Sequence, residues 1–116
     1  MISLFYTFID ADSMTDQNNQ ILVEVSKDLE SLIPDYIAAM NQSLVYLESL
    51  LNDKKFEELK KEAHTMKGHG GAYGFTYISE MGSLIESFAK EEKANLIQKC
   101  LNELKNYMGR IKIEFI

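Results

Sequence analysis

The residues most capable of chemistry lie in one run, Ala63-His64-Thr65-Met66-Lys67-Gly68-His69-Gly70-Gly71-Ala72-Tyr73-Gly74-Phe75. It holds four of the six glycines of the chain inside a stretch that otherwise reads as helix. Each glycine in a helix interior costs roughly 0.5–1 kcal/mol relative to alanine, so several together require a reason, and close approach of another surface is one. The apolar stripe of this helix is Phe56, Leu59, Ala63, Met66, Gly70 and Tyr73. At 100° per residue His64 points roughly 130° away from the middle of that stripe, toward solvent or a partner. Lys60, Lys67, Gly68 and Gly71 stand at i−4, i+3, i+4 and i+7 from His64 and share its facet. An exposed imidazole is largely neutral at neutral pH and nucleophilic. Ammonium groups one turn away attract an incoming phosphoryl group and balance the charge left on the ring. The two absent side chains leave room for a second protein to bring its own acceptor to the nitrogen.

The elements that must hold this facet are helical. Ile33, Ile37, Met40, Leu44, Leu47 and Leu51 recur at steps of four and three, predicting a helix from Ile33 to about Leu51. Pro34 removes a backbone donor, so the turn starting near Ser26 to Leu29 is either a separate short helix or joined through a kink. Asn52 and Asp53 interrupt the pattern and are expected to cap the next helix, which ends at Gly74. Thr76 is expected as the N-cap of a third helix carrying Ile78, Met81, Ile85 and Phe88. A fourth uses Ile97, Leu101, Leu104, Met108 and Ile111 and starts near Glu92, where neither Gly nor Pro marks the turn. Four helices with short connections make an all-α, antiparallel up-down four-helix bundle, with an extra N-terminal helical turn or kink, the economical architecture. At the two ends, Ile21–Val25 is β-prone and Ile111–Ile116 alternates apolar and charged residues. These ends either pair as a short ribbon, or Ile111 and Ile113 simply finish the last helix.

Composition narrows the class. The chain has 116 residues, 46% of them hydrophobic and 26% charged, which suits one soluble domain and excludes functions needing two lobes. A net charge of −6 argues against nucleic acid as a partner, because phosphate backbones are bound through clustered Lys and Arg. The lone Cys100 offers neither a disulfide nor a metal-binding pair, which points to the reducing cytoplasm and to a cysteine that packs as a small hydrophobe. Met1–Ile9 is apolar but lacks a positive n-region and runs into Asp10 and Asp12, unlike a signal peptide, and no segment is apolar for long enough to span a bilayer. Met14 is either a second start or part of a loose tail, and residues 1–20 receive no function, leaving 21–116 as the domain.

Other chemistries fit poorly. His64 and His69 are five residues apart, not the i, i+4 pair of a helical zinc site, and neither a His-Glu-x-x-His run nor a cysteine pair is present. No phosphate-cradling loop follows a strand, and the glycine-rich run ends a helix where a phosphate loop would begin one. No ATP-binding module accompanies it, so an autonomous enzyme is not expected.

The segment resembles the signature of the histidine phosphotransfer (HPt) family, in which a small residue and the phosphorylated histidine are followed by x-(Leu/Met)-Lys-Gly, then small residues and a terminal glycine. The matching positions are Ala63, His64, Met66, Lys67, Gly68, Gly70, Gly71 and Gly74, and Tyr73-Gly74-Phe75 is similar to a frequent variant. Leu32-Ile33-Pro34 before the signature, and Gly82 with Glu86 after it, also resemble one bacterial subgroup. The resemblance covers roughly Val23 to Phe115. It implies a cytoplasmic phosphocarrier without kinase activity, a four-helix bundle, and transfer through His64 to and from the aspartate of a response-regulator receiver domain. Lys67 would stabilise phosphate, while Lys60, Gly68 and Gly71 would meet the partner. Its partners would be receiver domains and a sensor or hybrid histidine kinase, the carrier a monomer, its cofactors none, with any Mg²⁺ held by the receiver. The competing reading is a helical adaptor or inhibitor that binds a response regulator or kinase without transferring phosphate. His69 departs from the family, which usually carries a small residue there, and lies near the stripe edge as a possible second acceptor reachable by the same partner.

Overall fold

The computed structural model describes residues 20–116. The expectations about the apolar opening, Met14 and the unassigned tail concern residues that, Gln20 excepted, lie outside this range. Strand β1 (Ile21–Val25) leads into a 3-10 turn, Lys27–Leu32, which runs directly into α1 (Ile33–Asn52). Then follow α2 (Phe56–Ala72), α3 (Thr76–Lys90), α4 (Ala94–Arg110) and β2 (Ile111–Phe115). Ser26 caps the 3-10 turn, its hydroxyl accepting from the Asp28 N–H at 3.3 Å. Pro34 sits in the first turn of α1, where its missing N–H has no intrahelical partner to lose, so the proline is accommodated at a junction between two helices.

The helices pack in cyclic order, α1 on α2, α2 on α3, α3 on α4 and α4 back on α1, with the most extensive contact between α2 and α3. Their stripes supply the core: Met40, Leu44 and Leu47 from α1, Leu59, Ala63 and Met66 from α2, Ile78, Met81 and Ile85 from α3, and Ile97, Leu101 and Leu104 from α4 are all buried. Ile37, Phe88 and Met108, expected in these stripes, only flank the core, while Tyr36, Leu50 and Tyr107 enter it. Cys100 is buried and its thiol is pushed up to about 11 by desolvation, in keeping with a small hydrophobe.

The three interhelical turns follow one plan, and it corrects the caps expected from sequence. Lys54, Gly74 and Glu92 adopt left-handed backbone, with φ of 56°, 88° and 57°. The next residue in each case, Lys55, Phe75 or Lys93, donates its N–H to a carbonyl of the preceding helix (Leu50, Gly70 and Phe88, at 2.9, 2.8 and 2.9 Å) and is itself the N-cap of the next. These backbone bonds satisfy the last carbonyls of one helix while reversing the chain. Neither Asn52, which ends α1, nor Asp53, nor Thr76, the first residue of α3, caps a following helix through its side chain. The last turn needs no glycine because Glu92 accepts the strained conformation, and α4 begins at Ala94. Left-handed backbone costs a side-chain-bearing residue roughly 1–2 kcal/mol, of which glycine returns part through its larger unfolded-state entropy. Lys54→Gly and Glu92→Gly are therefore each expected to raise unfolding free energy by up to about 1 kcal/mol in urea titrations.

The two ends of the described chain do pair. β1 and β2 form a parallel ribbon, Ile21 opposite Ile111 and Val25 opposite Phe115. Parallel neighbours need a long crossover, and here the crossover is the whole bundle. Ile21 and Val25 are buried, and Ile111, Ile113 and Phe115 pack against the core from the second strand. Ile111 thus leaves α4 in extended conformation. The ribbon is a small addition to an all-α bundle.

Candidate functional site

The facet expected around His64 exists on α2. Ala63 and Met66, on either side of His64, are buried against the other helices, which fixes the rotation of α2 and leaves His64, Lys67, Gly68 and Gly71 exposed, with Lys60 partly so. Lys60 lies 2.9 Å from Glu57 one turn back, whereas Lys67 forms no ion pair among the described residues. The lysines and the glycines of the facet are thus brought together as their spacing predicts.

The feature that spacing on α2 could not supply comes from α3. The Glu86 carboxylate reaches across the seam to Nδ1 of His64, 2.9 Å from Oε2. A carboxylate only accepts, so Nδ1 carries a proton in this arrangement, and the neutral form of the ring then has its lone pair on Nε2, which has no partner among the described residues. Glu86 also lines a polar groove of about 360 Å³ with Lys60, Ser83, Ser87 and Lys90. Two ammonium groups, Lys60 and Lys90, thus line the groove that Glu86 shares, with Lys60 also held by Glu57.

Two glycines explain how α2 and α3 come so close. A Cβ at Gly82 would stand 2.7 Å from the backbone nitrogen of Lys67 and 2.9 Å from the carbonyl oxygen of Ala63, the two residues that bracket His64. Gly82 and Glu86 are one turn apart on α3, so the approach made at the first delivers the carboxylate of the second. Ser79, one turn earlier, donates its hydroxyl to the Lys67 carbonyl at 2.9 Å. Gly70 serves the same seam, since a Cβ there would meet the Ser79 backbone nitrogen at 2.8 Å. By contrast, nothing lies within 4 Å of a Cβ built on Gly68, and one on Gly71 would touch only the Ser79 hydroxyl at 3.8 Å. Internal packing therefore requires Gly70 and Gly82, and it does not require Gly68 or Gly71.

His69 is placed differently from the expectation of a second group within reach of the same partner. Its ring is half-buried toward α1, where Tyr36 lies 3.0 Å from Nδ1 and packs edge-on at 5.2 Å. Tyr36 in turn stacks on Tyr73 at 4.4 Å and packs against the fully buried Phe75. Burial lowers the pKa of His69, with the nearby Glu62 opposing it, and raises that of Tyr36, so both are favoured in neutral form and the Tyr36 hydroxyl can donate to the imidazole.

A larger groove, about 620 Å³, lies between α1 and α4, across the bundle from the α2–α3 seam, and is lined by Asn41, Leu44, Val45, Glu48, Lys105, Met108 and Gly109. It contains no imidazole or thiol, and Lys105, helped by Gln98, holds the Glu48 carboxyl below its usual range. Among the described residues no group of three or more His, Cys, Asp or Glu side chains is placed to hold a metal ion. None of their helices is long and apolar enough to cross a membrane.

Comparison with protein families matches the family model of the Hpt domain to residues 22–114, most of the chain. Comparisons with curated proteins and with solved structures return no match.

Proposed function

Since the chain belongs to the Hpt domain family, whose members carry phosphoryl groups on histidine in phosphorelays, we propose that His64 accepts a phosphoryl group and passes it to or from the aspartate of a response-regulator receiver domain. The observation that carries this reading is the state of the His64 ring: exposed, held through Nδ1 by Glu86, with Nε2 bonded to no other group among the described residues. The Nε2 lone pair attacks phosphorus, the bond from phosphorus to the aspartyl oxygen breaks, and the electron pair leaves with that carboxylate. Lys67, which forms no ion pair among the described residues, neutralises charge on the transferred group, and Lys60 borders its approach. The Mg²⁺ such transfers use belongs to the receiver's acidic site. The protein acts as a cytoplasmic monomer, takes its phosphoryl group by way of a sensor or hybrid histidine kinase, and has no kinase activity of its own.

Incubation with a receiver domain phosphorylated from labelled acetyl phosphate tests the proposal. Acid-labile label should appear on the chain, and phosphorus NMR should assign it to Nε2 of His64. Binding of the receiver without any label would replace phosphotransfer by an adaptor role.

The open space at Gly68 supplies a separate test of docking. Gly68→Ala should gain up to about 1 kcal/mol of stability, because alanine is the better helix former and meets nothing within 4 Å. Gly68→Gln should remain folded yet hold the receiver away from the imidazole, and misplacement by about an ångström can cost about 100-fold in rate. Transfer kinetics beside thermal melts check both, and wild-type transfer by a folded Gly68→Gln chain would remove the docking role.

A further inference from the structure

We propose that Glu86 is a positioning residue that also sets the partition of the phosphoryl group, biasing it toward His64 and away from the partner's aspartate; this rests on the phosphotransfer reading above. The argument starts from charge. In its nucleophilic form, which is the neutral one, the unphosphorylated His64 ring donates Nδ1–H to the Glu86 carboxylate, a hydrogen bond between a neutral and a charged group. When Nε2 bonds to phosphorus while Nδ1 keeps its proton, neither ring nitrogen retains a lone pair. The ring is then cationic, and the same 2.9 Å contact becomes an ion pair. The carboxylate therefore stabilises the phosphorylated form more than the unphosphorylated one, and that difference enters the transfer equilibrium directly.

The other charged groups near the ring act on a different part of it. Lys60 and Lys67 on α2, and Lys90 across the groove on α3, are cations suited to the phosphoryl oxygens, and none can stabilise a positive ring. Glu86 is the acidic residue the structure places against His64, and it sits over the Gly82 approach that fixes its distance. The side chains are 68% and 29% exposed, so the pair is partly screened, and its effect belongs in the range of exposed ion pairs, up to about five-fold in an equilibrium constant.

The experiment measures the equilibrium distribution of labelled phosphoryl between the full chain and a receiver domain. Glu86→Gln keeps the shape and, through its amide oxygen, an acceptor for Nδ1–H, but removes the charge. At neutral pH and low salt the variant should be labelled, with the distribution moved toward the receiver by about two- to five-fold. The difference should shrink in 1 M salt, and close at alkaline pH once the phosphorylated ring has lost its Nδ1 proton. A merely structural role for Glu86 would not follow that dependence on salt and pH. An unchanged distribution, or one moved toward His64, overturns the inference while leaving phosphotransfer standing. Absence of label from both chains in the presence of bound receiver overturns the phosphotransfer reading itself, and this inference with it.

Discussion

The His64→Gln variant is expected to lose acid-labile labelling to below about 1% of the wild-type level while keeping its helicity and its affinity for the receiver. Glutamine presents no lone pair able to attack phosphorus, so the loss is one of nucleophile and not of degree. The fold should be indifferent, because the side chain is exposed and its tertiary hydrogen bond is the one to Glu86. Surface substitutions of this kind usually stay within about 0.5 kcal/mol. His69→Gln is the companion variant and should retain label, since that ring is half-buried and engaged by Tyr36 on the side of the helix facing α1. Label lost only in His69→Gln, or equal in both variants, would move the acceptor away from His64.

Gly82→Ala is expected to be the most damaging small substitution in the bundle. The added methyl would lie 2.7 and 2.9 Å from backbone atoms of Lys67 and Ala63, and backbone cannot swing aside as the tip of a flexible side chain can. α2 and α3 must separate, and overpacking of this kind costs about 1–3 kcal/mol even after the better helix propensity of alanine is counted. For a domain of this size that corresponds to a fall in Tm of roughly 5–15 °C. The same displacement draws Glu86 away from His64, so the variant should also move the phosphoryl distribution in the direction of Glu86→Gln. Gly68→Ala, one turn beyond His64 on α2, is the control in which the identical change meets open space. Calorimetry on the two alanine variants should show shifts of opposite sign. A Gly82→Ala chain as stable as wild type would mean that the helices are less closely packed than described.

What can be read from the sequence alone is whatever depends on positions a few residues apart. The helical stripes, the outward angle of His64, the neighbourhood of Lys60, Lys67, Gly68 and Gly71, and the break at Gly74 all follow from a period of 3.6, because one helix carries every group involved. The type of the terminal segments also shows locally, as β-prone ends, but not their pairing. Two strands separated by four helices meet only because the bundle returns its last helix to the level of the first strand. Turn chemistry was obscured for a related reason: backbone hydrogen bonds satisfy the helix ends at Lys54 and Glu92, so no side chain had to announce them.

The parts of the site that decide its chemistry required the third dimension. Glu86 is 22 residues from His64, and no periodicity on α2 indicates which carboxylate of α3 will face the ring or which nitrogen it will engage. The period of α2 already puts Gly70 on the core stripe and Gly68 on the outer facet, but only the packed helices show that the backbone of α3 lies against the one and that nothing lies within 4 Å of a Cβ on the other. Tyr36 and His69, 33 residues apart, make one hydrogen-bonded pair that separates the second histidine from the first. The local sequence determined that an imidazole would be exposed beside lysines on a helix of a bundle, because rotation about a helix axis is set by the apolar stripe on that same helix. Tertiary packing alone decided the tautomer of that imidazole, the charge against it and the open face above it, because each depends on how close two helices approach, and Gly82 sets that distance from the other side of the seam.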